Sequence, residues 1–182
     1  MNYKVIDNFL DEKYFDSLVS LLEEIPWFFQ TDIAYDNVAD DKIFLLYHMF
    51  YAQNTPTGTL YEKLIPLLEK LGADCLMRIK ANLYPNTEKL HEHPMHKDFE
   101  FPVTAALLSL NTCDGYTKLA DGTKIDSVAN RVVIFDSGEE HCSTTTTNVP
   151  ARFNININYF QPEITEGMFK SLQHPELREF KT

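Results

Sequence analysis

Glycine, cysteine and long apolar runs are scarce in this sequence, and each shortage excludes a class of protein. With 6 glycines among 182 residues, the chain is neither glycine-rich nor collagen-like. The 3 cysteines are far apart and include no Cys-x-x-Cys pair, which favours a reduced compartment over a disulfide scaffold. No run of about 18 apolar residues occurs, so we expect no membrane span. Nor does the N-terminus look like a signal peptide, and a cytoplasmic location is predicted (the host cytoplasm if a phage encodes the chain).

Basic residues are also in the minority, since 16 lysines and arginines stand against 27 aspartates and glutamates, for a formal net charge of −11. Such an acidic surface repels phosphate backbones, which argues against a nucleic acid as partner. An acidic ligand would need a specific local cation. The length and a hydrophobic content of 44% fit one globular domain over residues 1–182.

Two helices are predicted in the first half of the chain, with three strands around them. Asp11 is a suitable N-cap for a helix that runs to about Ile25, because apolar residues recur at helical spacing after it. A second helix is predicted over residues 60–71, where Gly72 provides a stop and Pro66 should bend the helix or delay its start. The strands are predicted at residues 3–7, 28–35 and 43–52.

From residue 76 onward, short β-like segments follow one another. Asp114-Gly115 and Asp121-Gly122 mark tight turns between neighbouring segments. This succession of short strands indicates a sandwich or barrel. We therefore predict a mainly β (α+β) fold, a jelly roll core at about residues 76–161 with the N-terminal helices packed on one sheet. The predicted strands are 77–84, 95–101, 103–111, 116–119, 123–127, 131–136, 140–145 and 152–160.

A metal site is suggested by the spacing of three side chains. His96 and Asp98 are two residues apart, so on a strand both point to the same face and reach one ion. His141 comes from another predicted strand and completes a set of two imidazoles and one carboxylate. Such a set holds iron on one side and leaves three coordination positions open. A buried histidine bonded to an aspartate would give the same local pattern.

Arg152 begins a strictly alternating strand. Arg152, Asn154, Asn156 and Asn158 share one face of that strand, and aromatic or aliphatic residues share the other. The polar face fits a strand whose inner side lines a polar pocket. A guanidinium there could pair with a ligand carboxylate in a bidentate fashion, although a surface salt bridge is the alternative.

These residues, taken in order, resemble the Fe(II)/2-oxoglutarate-dependent dioxygenases, in particular their prolyl 4-hydroxylase-like branch and its compact bacterial and phage forms. The resemblance implies a double-stranded β-helix and an enzyme that uses Fe(II), 2-oxoglutarate and O₂. It would hydroxylate a C–H bond with release of succinate and CO₂. The matching stretches are Leu-Tyr-Pro-Asn (83–86), His-Lys-Asp (96–98), Val-Thr-Ala-Ala-Leu-Leu-Ser-Leu-Asn (103–111), Asn-Arg-Val-Val-Ile-Phe-Asp-Ser (130–137), His141 and residues 152–160.

The resemblance also implies roles for individual residues. It makes His96, Asp98 and His141 the iron ligands. Arg152 would bind the far carboxylate of 2-oxoglutarate, with Asn156 as its helper. Tyr84 would be the tyrosine that lines the cosubstrate pocket.

Two positions depart from the family pattern. A tyrosine that also reaches the cosubstrate is matched here by Leu108, which leaves Arg152 with one helper fewer. The usual glycine-rich turn before His-x-Asp is replaced by residues 85–94, which weakens any assignment of proline as substrate. The substrate stays open between a protein side chain, an amino acid and a small metabolite, and residues 28–57 and 85–94 are candidates for its rim.

Two rival hypotheses use the same residues differently. In a cupin-type metalloprotein, His91 and His93 would bind metal together with His141 and an acidic residue, and 2-oxoglutarate would not be needed. A jelly-roll binding module without enzymatic activity would bind no metal. Under the oxygenase hypothesis, His91 and His93 could touch the substrate or be solvent-exposed loop residues, and we expect the latter.

Overall fold

The structure, a computed structural model, describes residues 2–31 and 44–160. Within these ranges the chain forms two α-helices, one 3₁₀ helix and a series of antiparallel strands. The predicted strand positions 32–35 and 43 lie outside the described residues. The elements are β1 Tyr3–Ile6, α1 Glu12–Glu24, β2 Phe28–Gln30, β3 Leu45–Ala52, β4 Thr55–Pro56, a 3₁₀ helix Thr59–Leu64, α2 Ile65–Leu71, β5 Cys75–Pro85, β6 Thr104–Ser109, β7 Tyr116–Leu119, β8 Lys124–Asp126, β9 Arg131–Asp136, β10 His141–Ser143 and β11 Ala151–Phe160.

Both predicted helices are confirmed, and their ends follow the expected chemistry. The Asp11 carboxylate accepts a hydrogen bond from the Tyr14 backbone N–H and so caps α1. Pro66 lies in the first turn of α2, where its missing N–H costs nothing, and the turn before it is a 3₁₀ helix. Gly72 ends α2 in a left-handed conformation with φ 63°. None of the described helices has the length and apolar character needed to cross a membrane.

The strands form two antiparallel sheets, which confirms the predicted jelly roll. The large sheet has the strand order β1-β9-β6-β11-β5-β3-β2, and β4 pairs with β3. The small sheet has the order β10-β7-β8. Leu119 and Ile125 of the small sheet pack against apolar side chains of β6 and β9, so the two sheets face each other across a shared interior.

The two faces of the large sheet have different partners. On the outer face, Ile155 and Ile157 of β11 pack in one cluster with Leu18 and Leu21 of α1. The helices therefore cover this face, as the alternation of β11 predicts. The inner face presents the polar residues of β11 to the space between the sheets, because successive side chains of a strand point to opposite sides.

The predicted strand at residues 95–101 is wrong. This segment is irregular and contains a single isolated bridge, between His96 and His141. Pro94 and Pro102 flank it, and a proline cannot donate a backbone hydrogen bond to a sheet. The preceding residues 86–93 run beside residues 143–146, held by backbone hydrogen bonds that include His93 N–H to the Ser143 carbonyl at 2.9 Å.

Asn130 joins the N-terminal segment to the barrel. Its buried side chain accepts from the Leu10 N–H and donates to the Leu10 carbonyl, both at 2.8 Å. Its backbone has φ 60°, in the left-handed region that asparagine tolerates better than most residues. One residue thus satisfies two backbone groups of the α1 entry and turns the chain into β9.

We expect Asn130→Ala to lower the free energy of unfolding by about 2–4 kcal/mol. The substitution removes two buried hydrogen bonds and places a Cβ-bearing residue without a local hydrogen-bonding side chain at a positive φ. Urea denaturation of the full chain measures the loss. Asn130→Gly should lose roughly 1 kcal/mol less, because glycine adopts this backbone without strain. A variant Asn130→Ala as stable as the wild type would contradict this interpretation.

Candidate metal centre

Three side chains converge where residues 96–98 cross the start of β10. The ligand atoms of His96, Asp98 and His141 all lie within 4.8 Å of one another. The two imidazole rings have centroids 4.7 Å apart, and the backbones of the two histidines exchange hydrogen bonds at 2.9 Å. The structure thus brings together the three residues that the sequence suggests, although Asp98 is positioned by a loop and not by a strand.

Each histidine is oriented by its second ring nitrogen. His141 Nδ1 lies 3.1 Å from the Glu139 carbonyl, and His96 Nδ1 lies 3.3 Å from the Pro94 carbonyl. Since a carbonyl only accepts, these contacts place a proton on Nδ1 and leave the Nε2 lone pair available to a metal. Burial lowers the pKa of His96, with the nearby His141 adding to the effect, and so favours the neutral form that binds metals.

Asp98 is held by three side chains of the large sheet. Its Oδ1 lies 2.6 Å from Nη2 of Arg78, and its Oδ2 accepts from the amides of Asn156 at 3.0 Å and Asn158 at 2.9 Å. Burial opposes ionisation of this carboxyl group, but the Arg78 charge and the hydrogen bonds from Arg78 and Asn158 outweigh it. The pKa of Asp98 is therefore held well below its usual range, and the group is anionic.

Arg78 was not among the predicted site residues. Its signal is present in the sequence, because β5 alternates as β11 does: Arg78, Lys80, Asn82 and Tyr84 share one face. In the structure these four residues pair directly with the four polar residues of β11. The Asn82 amide donates to Asn154 Oδ1 at 2.9 Å, for example. Two adjacent strands thus present one continuous polar face.

Arg152 is a buried cation, which excludes the surface salt bridge considered from the sequence. Only 1% of the residue is exposed. Its guanidinium donates to the Thr144 carbonyl at 3.2 Å and to Thr117 Oγ1 at 2.9 Å, and Nε has no partner in the described part of the chain. No carboxylate of the described residues forms an ion pair with it. Space for its stem comes from Gly115, where a Cβ would lie 2.8 Å from Arg152 Cδ.

Tyr84 and His93 form a stack beside this guanidinium. The Tyr84 ring centroid lies 5.4 Å from the Arg152 guanidinium carbon and 5.2 Å from the ring centroid of His93. Burial raises the pKa of the Tyr84 hydroxyl, an effect that the Arg152 charge opposes. Tyr84 therefore lies beside Arg152, and its role towards a cosubstrate stays a prediction.

The expectation that His93 is solvent-exposed is wrong, because only 2% of the residue is exposed. Its Nδ1 lies 3.0 Å from Ser143 Oγ, and its Nε2 is buried without a partner. Burial lowers the pKa of His93 to about 4, and the Arg152 cation adds to this, so the ring is neutral near pH 7. His91 is partly buried, and its N–H donates to Thr145 Oγ1.

Two further expectations can be compared with the geometry. Asn156 donates to Asp98, so its described hydrogen bond serves the metal centre and not Arg152. Leu108 pairs with Ile155 and packs in the helix-facing core, whereas Leu107 and Ser109 of β6 face the interior. A side chain of β6 that reached the interior would stand at position 107 or 109 and not at position 108. Neither of these two residues is a tyrosine.

Comparisons with known proteins were made for both sequence and fold. No protein-family model and no curated protein matches the chain. Among solved structures, a prolyl-4-hydroxylase from Pseudomonas putida matches with a TM-score of 0.57 and 16% identity, over 87% of this chain and 92% of that one. A prolyl hydroxylase from Trichoplax adhaerens, in complex with a hypoxia inducible factor peptide fragment, matches with a TM-score of 0.58 and 18% identity, over 94% and 87%.

HygX from Streptomyces hygroscopicus, with nickel, 2-oxoglutarate and hygromycin B bound, matches with a TM-score of 0.58 and 11% identity, over 90% of this chain and 84% of that one. The three matches span nearly the whole of both chains. At these identities they establish the architecture, and the chain has the double-stranded β-helix fold of these hydroxylases and of HygX.

Proposed function

We propose that the protein is an Fe(II)- and 2-oxoglutarate-dependent dioxygenase that hydroxylates a C–H bond of its substrate and releases succinate and CO₂. The observation that carries the proposal is the pairing of two features in one interior. The first feature is the cluster of His96, Asp98 and His141. The second is Arg152, which is buried and has no ionic partner among the described residues. Arg152 lies on the same face of β11 as Asn156, which donates to Asp98.

The donor set fits iron. Two neutral imidazoles and one carboxylate on one side of an ion leave positions open for further ligands, which is the arrangement of non-haem Fe(II) oxygenases. With 2-oxoglutarate and O₂ present, the bound iron would supply the oxidising chemistry. The protein's part is to keep Asp98 ionised, to present Nε2 of His96 and His141, and to limit the access of water.

The pocket also fits the cosubstrate, because several buried polar atoms on its walls lack a partner. A native interior rarely leaves such atoms unpaired, and a bound ligand is one explanation. Arg152 Nε and His93 Nε2 belong to side chains that both contact the Tyr84 ring, and each atom can donate to a carboxylate. In residues 2–31 and 44–160, the buried side-chain atoms without a partner are His93 Nε2, Arg152 Nε, Asn154 Nδ2 and Asn156 Oδ1.

Each pocket residue then has a distinct part in holding 2-oxoglutarate. Arg152 binds the far carboxylate, and its burial strengthens that ion pair relative to one in water. His93 donates a second hydrogen bond from Nε2, with Ser143 oriented to donate to Nδ1. The Tyr84 ring contacts both side chains, with its centroid 5.4 Å from the Arg152 guanidinium carbon and 5.2 Å from the His93 ring centroid. His93 is in this way an additional helper for Arg152, which the family pattern does not supply.

The substrate class is a separate matter. The hydroxylase from Trichoplax adhaerens was solved with a peptide fragment and HygX with hygromycin B, so this fold accommodates both peptides and small molecules. The cupin-type alternative has less support from the geometry. Among the described residues, the group that could hold a metal contains neither His91 nor His93.

Metal binding should depend on His141 and not on His91. In isothermal titration calorimetry with Mn(II) and 2-oxoglutarate, His141→Ala should weaken Mn(II) affinity at least roughly 100-fold, because one of three protein ligands is lost. Wild-type protein should release succinate when Fe(II), 2-oxoglutarate and O₂ are supplied, and His141→Ala should not.

His91→Ala is the matched control, since it removes a nearby imidazole outside the cluster. It should bind Mn(II) as the wild type does. If His91→Ala loses the metal while His141→Ala keeps it, the cupin-type arrangement is correct and the ligand assignment fails. Absence of succinate from metal-loaded wild-type protein would refute the oxygenase proposal.

Cosubstrate affinity should depend on His93. Replacing it by phenylalanine preserves a flat ring on Tyr84 but removes the Nε2 donor. The dissociation constant of 2-oxoglutarate should then rise roughly tenfold or more, the effect of losing a hydrogen bond to a charged group. Titration of the anaerobic Fe(II) protein, followed by the visible absorbance of the Fe(II)–2-oxo acid chelate, measures the constant.

His93→Gln should recover part of the affinity, because its amide N–H can donate from a similar position. His91→Phe controls for the loss of an imidazole elsewhere on the same segment and should bind as tightly as the wild type. Equal affinities of wild type and His93→Phe would show that His93 does not contact the cosubstrate.

A further inference from the structure

Two basic side chains lie next to each other beside the metal centre. Arg78 and Lys80 occupy the same face of β5, where they pair with Asn158 and Asn156 of β11. Side chains at i and i+2 of a strand point the same way, so the two positive charges repel each other. Their proximity is reflected in the pKa of Lys80, since Arg78 is one of the groups that lower it.

Arg78 has a partner of opposite charge. Its Nη2 lies 2.6 Å from Asp98 Oδ1, its Nε donates to Asn158 Oδ1 at 3.0 Å, and its guanidinium carbon lies 5.6 Å from the ring centroid of Phe99. The side chain is 26% exposed, so one edge of it is open to a ligand. Asp98 contacts only this one of the two cations, although its charge also acts on Lys80 from a greater distance.

Lys80 has neutral partners. Its Nζ donates to Gln30 Oε1 at 3.1 Å and lies 5.0 Å from the ring centroid of Tyr47. It forms no ion pair with a carboxylate in the described part of the chain. Burial and the nearby Arg78 lower the pKa of Lys80 to about 8, while the Asp98 charge acts in the opposite direction, and most of the population is protonated at pH 7. A partly buried ammonium that contacts no carboxylate is energetically unfavourable.

We propose that Lys80, with the open edge of Arg78, binds a carboxylate group of the substrate beside the metal centre. This inference rests on the proposed function and names the substrate class for it. A divalent metal, Asp98 and bound 2-oxoglutarate together carry one negative charge, whereas Arg78, Lys80 and Arg152 carry three positive ones. The loaded pocket therefore has an excess of positive charge that an anionic substrate would reduce.

Because the chain as a whole is acidic, an anionic substrate needs positive charge at its binding site. The whole chain has a formal net charge of −11, which repels anions at a distance. A carboxylate that reaches the pocket therefore needs a specific pair of donors at close range. An ammonium and a guanidinium on neighbouring inward positions provide both charge and hydrogen bonds. Tyr47 and Phe99 border the two cations and offer apolar contact to the rest of the ligand.

Matched acid and amide probes test the proposal on the Mn(II)- and 2-oxoglutarate-loaded full chain. One pair is N-acetylglycine and N-acetylglycinamide. The other is the acetylated, amidated tripeptide Ala-Asp-Ala and its Ala-Asn-Ala counterpart. Proton line broadening by Mn(II) reports which probes approach the metal. We expect at least one acid to be broadened more than its amide, and the pair that responds tells a free carboxylate from an acidic peptide side chain.

Lys80→Met should reduce broadening of that acid roughly tenfold while the amide is unchanged, and Lys80→Arg should retain the acid preference. Lys63→Met removes one charge from the exposed pair with Glu24, and it should behave as the wild type. Equal broadening of acids and amides, no broadening of any acid, or an unchanged Lys80→Met would overturn the proposal.

The affinity for 2-oxoglutarate, measured first in each sample, separates the two levels of inference. If the wild type does not bind 2-oxoglutarate, the proposed function fails. If the wild type binds it and Lys80→Met loses it, Lys80 serves the cosubstrate and the assignment to substrate is wrong. Under the proposal, Lys80→Met binds 2-oxoglutarate as the wild type does.

Discussion

Side chains from two adjacent strands hold the carboxylate of Asp98 in place, and the metal centre needs that carboxylate as a ligand. Arg78 of β5 engages one oxygen, and two asparagines of β11 engage the other. The Asp98 backbone N–H donates to the carbonyl of Ser137, directly after β9, and this bond joins the loop that contains Asp98 to the large sheet. His141 belongs to the small sheet, so the site spans the interior and forms only when both sheets are in place.

The same interior accommodates a charge that globular proteins rarely bury. A guanidinium removed from water without a carboxylate partner is costly, and here hydrogen bonds from Arg152 to Thr117 and to the Thr144 carbonyl offset only part of that cost. Such an arrangement is more easily understood as a binding site prepared for an anion than as a contribution to stability. Gly115, directly before β7, lacks a Cβ and so leaves room for the Arg152 side chain.

Local patterns predicted much of this architecture, and long-range contacts account for the failures. Alternation along residues 152–160 was sufficient to place the polar face inward, because the period of a strand is a property of the backbone. The same alternation in β5 contained Arg78, but its partner Asp98 is distant in sequence. The burial of His93 depends on residues 86–93 pairing with residues 143–146, which no local pattern reveals. The prolines that flank residues 95–101 were the available warning against a strand there.

The most direct test of the account is a crystal structure of the protein with Mn(II) and 2-oxoglutarate under anaerobic conditions. We expect one metal ion bound by Nε2 of His96, by the Asp98 carboxylate and by Nε2 of His141. We also expect the far carboxylate of 2-oxoglutarate to lie on the guanidinium of Arg152. A metal ion held by His91 or His93, or a cosubstrate bound away from Arg152, would contradict it.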